Sequence, residues 1–212
     1  MKLDCGFPAW EFDGTIDPTL LANVVEEFPA GIDPRWQTFH GDHEARKQQG
    51  GPACWGPATT SLILHLLSPV MCKQVAELVG VDHLVGDVVG GGMHQSGPGA
   101  HLDVHVDFDR HPQTGWRRAV NLLIYLNHGW REEWGGLLEL HGGEHPVVVA
   151  PEFGRMIVFR CSDQSWHGHP TPIVAGHVRR SIAVYYYDPD DLPEGPGHST
   201  VWRDEWLTPS TS

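Results

Sequence analysis

The chain has 212 residues, 40% of them hydrophobic and nine of them Trp, enough apolar surface for one domain with a full core. Its 14 Lys and Arg stand against 27 Asp and Glu, a formal charge of −13, and no basic stripe interrupts the acidity, so a phosphate-tracking nucleic-acid surface is excluded as a working expectation. No apolar run approaches the ~20 residues that span a bilayer, and the first residues carry no signal-peptide pattern, so no membrane partner and a cytoplasmic location are expected.

Residues 1–16 read as an opening strand and turn. Asp17-Pro18 then starts a helix, Asp as the cap and Pro in the first helical position, whose stripe of Leu20, Leu21, Val24, Val25 and Phe28 ends at Pro29 and Gly31. From Gly31 to Gly56 the composition turns to Pro, Gly, His and charge without periodicity, and a loop is expected. Two further helices follow, over Pro57 to Leu67 and from Ser68-Pro69 to Gly80.

Beyond Gly80 short apolar or alternating runs are broken by turn residues, as in an antiparallel β unit. Strands are expected near 82–89, 92–96, 100–106, 118–126, 136–141, 146–149, 155–161 and 179–187. The reading is a mainly β protein with N-terminal helices: a double-stranded β-helix, or jelly roll, buttressed by about three α-helices. A single domain over 1–212 is expected, with 1–80 as helical flank, 81–188 as core and 189–212 as a tail in which Val201-Trp202 and Trp206-Leu207 fold back onto the body. Cys5, Cys54, Cys72 and Cys161 have neither metal-binding nor disulfide-framework spacing and are expected to be free thiols.

The stretch His101-Leu-Asp-Val-His-Val-Asp-Phe-Asp109 carries the chemistry. On a strand, alternate residues share a face, so His105 and Asp107 project together about 7 Å apart along the chain and can grip one cation. His167, in Ser165-Trp-His-Gly-His-Pro170, is the candidate third ligand. Two imidazoles and one carboxylate on one face of a metal make the facial triad of non-haem Fe(II) oxygenases. By spacing alone His101/Asp103 competes with His105/Asp107, and His169 with His167.

Five ordered blocks resolve that ambiguity by resemblance: His105-Val-Asp-Phe-Asp-Arg-His-Pro112, Arg117-Arg-Ala-Val-Asn-Leu-Leu-Ile-Tyr-Leu-Asn127, Trp130-Arg-Glu-Glu-Trp-Gly-Gly-Leu-Leu-Glu-Leu140, Ser165-Trp-His-Gly168 and Arg179-Arg-Ser-Ile-Ala-Val-Tyr-Tyr-Tyr187. Together the pattern resembles the 2-oxoglutarate/Fe(II)-dependent oxygenases, in their prolyl-hydroxylase-like branch. The resemblance implies that His105, Asp107 and His167 hold iron and that Arg179 grips the far carboxylate of 2-oxoglutarate. It further implies that Tyr125 and Ser181 add hydroxyls there and that Gln95 faces the cosubstrate. An Arg fork suits a carboxylate through paired hydrogen bonds and keeps its charge when buried.

The implied cofactors are Fe(II), 2-oxoglutarate and O2. The implied reaction is hydroxylation of an unactivated C–H on a small molecule or an amino-acid or peptide side chain, with release of succinate and CO2. Asp107 disfavours halogenation, since related halogenases carry a small residue there. A monomer or homodimer is expected. The alternative reading, from another class, is a cupin-like metal-binding or sensing module without oxygenase turnover, for which Arg179 would be dispensable.

Overall fold

The computed structural model describes residues 1–192, 195 and 197–203. Two short strands open it, β1 (Lys2–Asp4) and β2 (Pro8–Asp13), paired antiparallel. Helix α1 (Pro18–Glu26) follows, with the Asp17 side chain accepting from the Thr19 amide and Pro18 in the first turn, as the sequence predicts. The segment expected to be a loop instead contains a hairpin, β3 (Gln37–His40) and β4 (Glu44–Gly50). Helices α2 (Pro57–Leu66) and α3 (Pro69–Val79) come next, α3 capped by Ser68 and closed by Gly80 in the left-handed region.

Strand β5 (Val85–Val106) is one ladder where three strands are expected. Gly90, Gly92 and Gly99 take positive φ along it, conformations open to glycine, and its register with the neighbouring strands is interrupted around 88–91 and 97–100. The remaining strands are β6 (Arg117–Tyr125), β7 (Leu138–Leu140), β8 (Val147–Val149), β9 (Arg155–Arg160), β10 (His167–His169), β11 (Arg179–Asp188) and β12 (Val201–Trp202).

The sheet path runs β1-β2-β9-β6-β11-β5-β10-β7-β8, with β4 and β12 also paired to β5. Residues 85–96 of β5 pair with β11, while 102 and 105 pair with β10, so one bent strand serves both layers of the jelly roll.

Alternation sorts the side chains. In β6 and β11, Val120, Leu122, Ile124, Ile182, Val184 and Tyr186 pack against Leu62, Leu66, Val75 and Val79 of the helices. The opposite parity, Asn121, Leu123, Ser181, Ala183 and Tyr185, faces the barrel interior and lines its cavity. A smaller cluster of Leu3, Phe7, Leu138, Leu140, Ile157 and Phe159 seals the other end. All four cysteines are free. Among the described residues no single helix is long and apolar enough to cross a membrane. Val201-Trp202 does return to the body as β12, against Val106 and His105, whereas Trp206 and Leu207 lie outside the described residues.

Candidate active site

His105 near the end of β5 and His167 at the start of β10 are register partners across the ladder, which brings their rings to 4.5 Å between centroids. Gly168 allows that approach: a Cβ there would lie 2.7 Å from the Asp103 carbonyl oxygen. Asp107 follows one residue beyond β5, with Oδ1 3.5 Å from His105 Nε2 and Oδ2 3.3 Å from His167 Nε2. Ligand atoms of these three residues all lie within 4.8 Å of one another, the one such group among the described residues.

Each ring presents the right nitrogen. His105 Nδ1–H donates to the Asp103 carbonyl at 2.8 Å and His167 Nδ1–H to the Ser165 carbonyl at 2.9 Å. A carbonyl only accepts, so both Nε2 atoms keep their lone pairs for the centre of the triad. Burial, then the neighbouring His167, lowers the His105 pKa and favours the neutral ligand form. Burial pushes the Asp107 carboxyl up, but the Arg118 guanidinium beside it leads the interactions that outweigh burial and hold the carboxyl well below the usual range. Two imidazoles and one carboxylate fit a divalent metal such as Fe(II).

Behind the triad stands a network that sequence reasoning passed over. Arg118 Nη2 lies 3.0 Å from Asp107 Oδ2, and Asn121 Nδ2 donates to the same oxygen at 2.8 Å. Arg118 Nε donates to Asn121 Oδ1 at 2.9 Å, and the Cys161 thiol donates there too at 3.3 Å. Cys161, its thiol pushed up to about 12 by burial, is a packed neutral donor. Strict alternation would turn Arg118 away from Asn121. The ladder slips between Tyr186 and Tyr187, which pair with Val120 and Arg118, and this bulge brings Arg118 inward.

At the far end of the cavity Arg179 is 7% exposed. Its Nε donates to the Gly136 carbonyl at 2.7 Å and its Nη2 to the Tyr125 hydroxyl at 3.2 Å, which fixes the fork in place. Ser181, two residues on, lines the same cavity. Burial raises the Tyr125 pKa, so its phenol keeps a proton to donate.

Gln95 differs from expectation. Its amide donates to Gln48 Oε1 at 2.8 Å on the outer face of β5, while its neighbours His94 and Ser96 line the cavity. The bends of β5 shift the parity by one residue. Of the alternatives left open by spacing, His101 and Asp103 lie together outside the cavity lining, where His43 Nδ1 is 3.4 Å from Asp103 Oδ2. His169 lines the cavity but stands outside the ligand group. Trp202 of β12 leans on the His105 ring at 5.2 Å and stacks on His43 at 4.8 Å, covering the triad from the tail side.

A jelly roll whose cavity is lined by a two-histidine, one-carboxylate group and a buried arginine fits the class of mononuclear non-haem metal oxygenases. Comparison points the same way: residues 91–187 match the model of the 2OG-Fe(II) oxygenase superfamily, whose members use Fe(II), 2-oxoglutarate and O2.

Three solved structures share the fold. A Pseudomonas putida prolyl-4-hydroxylase aligns with a TM-score of 0.64 at 18% identity, covering 87% of this chain and 93% of that one. A Trichoplax adhaerens prolyl hydroxylase in complex with a hypoxia inducible factor peptide fragment gives 0.59 at 17% identity, covering 89% and 86%. The viral collagen prolyl hydroxylase of Paramecium Bursaria Chlorella virus-1, in its 2OG complex, gives 0.55 at 12% identity, covering 84% and 95%. No curated protein sequence matches the chain.

Proposed function

We propose that the protein hydroxylates an unactivated C–H of a small molecule or an amino-acid-type side chain, with His105, Asp107 and His167 as the metal ligands. The observation that carries this reading is the single cavity lined by both the triad and Arg179. When bound, Fe(II) with O2 supplies the oxidising chemistry, in which 2-oxoglutarate is converted to succinate and CO2 and one oxygen atom goes to the substrate.

The chain's own residues prepare that chemistry. The two Nε2 atoms and the Asp107 carboxylate would hold the metal, and three protein ligands would leave room for the cosubstrate and O2. Arg118 and Asn121 hold the carboxylate ionised and fix its rotamer. Arg179 takes the remote carboxylate of 2-oxoglutarate through its unspent N–H groups, with the Tyr125 and Ser181 hydroxyls beside it. Leu102, Leu123, Leu138 and Ala183 line the walls and limit water around the reacting groups. The whole of 1–212 acts as one oxygenase domain in this reading, with the β3–β4 hairpin and β12 beside the cavity.

The test is succinate formation from 2-oxoglutarate with Fe(II) and a substrate panel. Turnover that requires Fe(II) and is lost in His105→Ala and His167→Ala supports the assignment; Fe(II)-dependent turnover that survives both substitutions contradicts it.

A further inference from the structure

The cosubstrate accounts for Arg179 and the Asp107 carboxylate for Arg118, yet the cavity has a third cation. Lys47 lines it together with the triad and Arg179. It comes from β4, in the hairpin that lies outside the 91–187 match, and in the ladder it pairs with Ser96, which pairs in turn with Arg179. Two neighbouring-strand spacings place the backbones of Lys47 and Arg179 roughly 10 Å apart. In a chain of formal charge −13, three cations facing one cavity stand out, and Asp107 pairs with Arg118 alone of them.

The backbone is distorted to aim it there. Arg46 has φ 54, the one positive φ outside glycine among the described residues, and it sits at the register slip between Ala45 and Lys47. Positive φ is costly for a residue with a long side chain, and a bulge re-aims the side chains on either side of it. Here Arg46 turns outward, donating to the Pro98 carbonyl at 2.8 Å, and Lys47 turns inward.

Lys47 is 21% exposed, meets Glu44 at 2.9 Å and lies 4.9 Å over the Phe39 ring, both of them outside the cavity lining. An ammonium has three N–H donors, so this ion pair leaves capacity for a second acceptor.

Two buried acceptor-capable atoms in the same cavity also lack a protein partner: His94 Nε2 and His169 Nδ1, the latter residue 4% exposed. Buried polar atoms are nearly always satisfied, and unsatisfied ones in a cavity mark where a ligand's polar groups go. Burial, then the Lys47 and Arg179 charges, keeps the His94 imidazole neutral.

We propose that Lys47 anchors a carboxylate of the substrate, so that the enzyme acts on a small free acid carrying an adjacent N–H or O–H, and not on a residue inside a peptide chain. The inference rests on the oxygenase reading above and narrows its substrate class. Arg179 holds the cosubstrate's carboxylate, Lys47 the substrate's, and the bare imidazole nitrogens meet the neighbouring donor.

The experiment uses the Fe(II) protein with saturating 2-oxoglutarate. Free amino acids and small hydroxy acids are compared with their primary amides and with short peptides containing the same residues. The readouts are substrate-stimulated succinate release and, without O2, the perturbation each compound causes in the visible band of the 2-oxoglutarate complex.

The expected result is that free acids act where their amides and peptides do not. Lys47→Met then raises the KM for the acid by on the order of thirtyfold while leaving 2-oxoglutarate affinity within about twofold, and Lys47→Arg restores most of the loss. Amides or peptides working as well as acids, or no acid acting at all, would overturn the proposal. So would a Lys47→Met defect that falls on 2-oxoglutarate, since the cation would then serve the cosubstrate. If the 2-oxoglutarate band never forms with iron bound, it is the oxygenase reading that fails, and this inference falls with it.

Discussion

Arg118 and Asp107 form a buried ion pair, Nη2 to Oδ2 3.0 Å, with the guanidinium stacked 3.6 Å over the Tyr185 ring and 4.4 Å from that of Phe108. The pair links the barrel's packing to the charge of the triad. Removing one partner leaves the other charge buried without compensation, a loss that outweighs what the intact pair contributes.

Arg118→Met is therefore expected to cost about 3–5 kcal/mol of stability in urea unfolding. Metal affinity falls on the order of tenfold to a hundredfold, because Asp107 loses the group that orients it and keeps it ionised. Arg118→Lys restores the charge without the flat face that stacks on Tyr185, and an intermediate loss is expected. Wild-type stability in Arg118→Met would show that the pair is energetically idle.

How much of this was legible without coordinates depends on where strand parity held. His105, Asp107 and His167 could be picked out because alternation and the surrounding blocks pointed to the same residues. Arg118 and Gln95 could not, because bulges and glycine bends shift the parity by one residue and nothing in local composition marks the slip. The β3–β4 hairpin was hidden for another reason. Glu44-Ala-Arg-Lys-Gln-Gln-Gly50 is polar on both faces and is held by its pairing to β5, so no hydrophobic period announces it. The helices were readable from their caps and apolar stripes, which are local signals.

The partly buried His94 gives the fold an acid sensitivity. An unfolded imidazole titrates near ~6.5. Burial, followed by the Lys47 and Arg179 charges, brings His94 down to about 3. Between those values the unfolded chain binds a proton that the folded one refuses, so stability falls as the pH drops through that window. At pH 5 the loss from this one residue is about 2 kcal/mol. Urea midpoints at pH 7 and pH 5 check it: His94→Gln removes this part of the pH dependence, and identical slopes in variant and wild type would refute the assignment.

Glu27 supplies a cap from a distance. Gly56 precedes α2 without a side-chain cap, and the Glu27 carboxylate accepts from the Ala58 and Thr59 amides, each at 2.7 Å. A carboxylate at a helix N-terminus satisfies orphan donors and favours the dipole. Glu27→Ala is expected to destabilise by about 1–2 kcal/mol with no change in 2-oxoglutarate affinity. Thermal or urea unfolding reads the first, cosubstrate titration the second.

The most direct test of the central claim is an anaerobic titration of the Fe(II) protein with 2-oxoglutarate, following the visible charge-transfer band of a chelated 2-oxo acid. The account predicts that the band forms in the wild type and is lost in His105→Ala and His167→Ala. Arg179→Ala is expected to need on the order of a hundredfold more 2-oxoglutarate, and Tyr125→Phe several-fold more, about 1 kcal/mol. A protein that binds iron and shows no band at any concentration of 2-oxoglutarate, or an Arg179→Ala variant that titrates like the wild type, would contradict it.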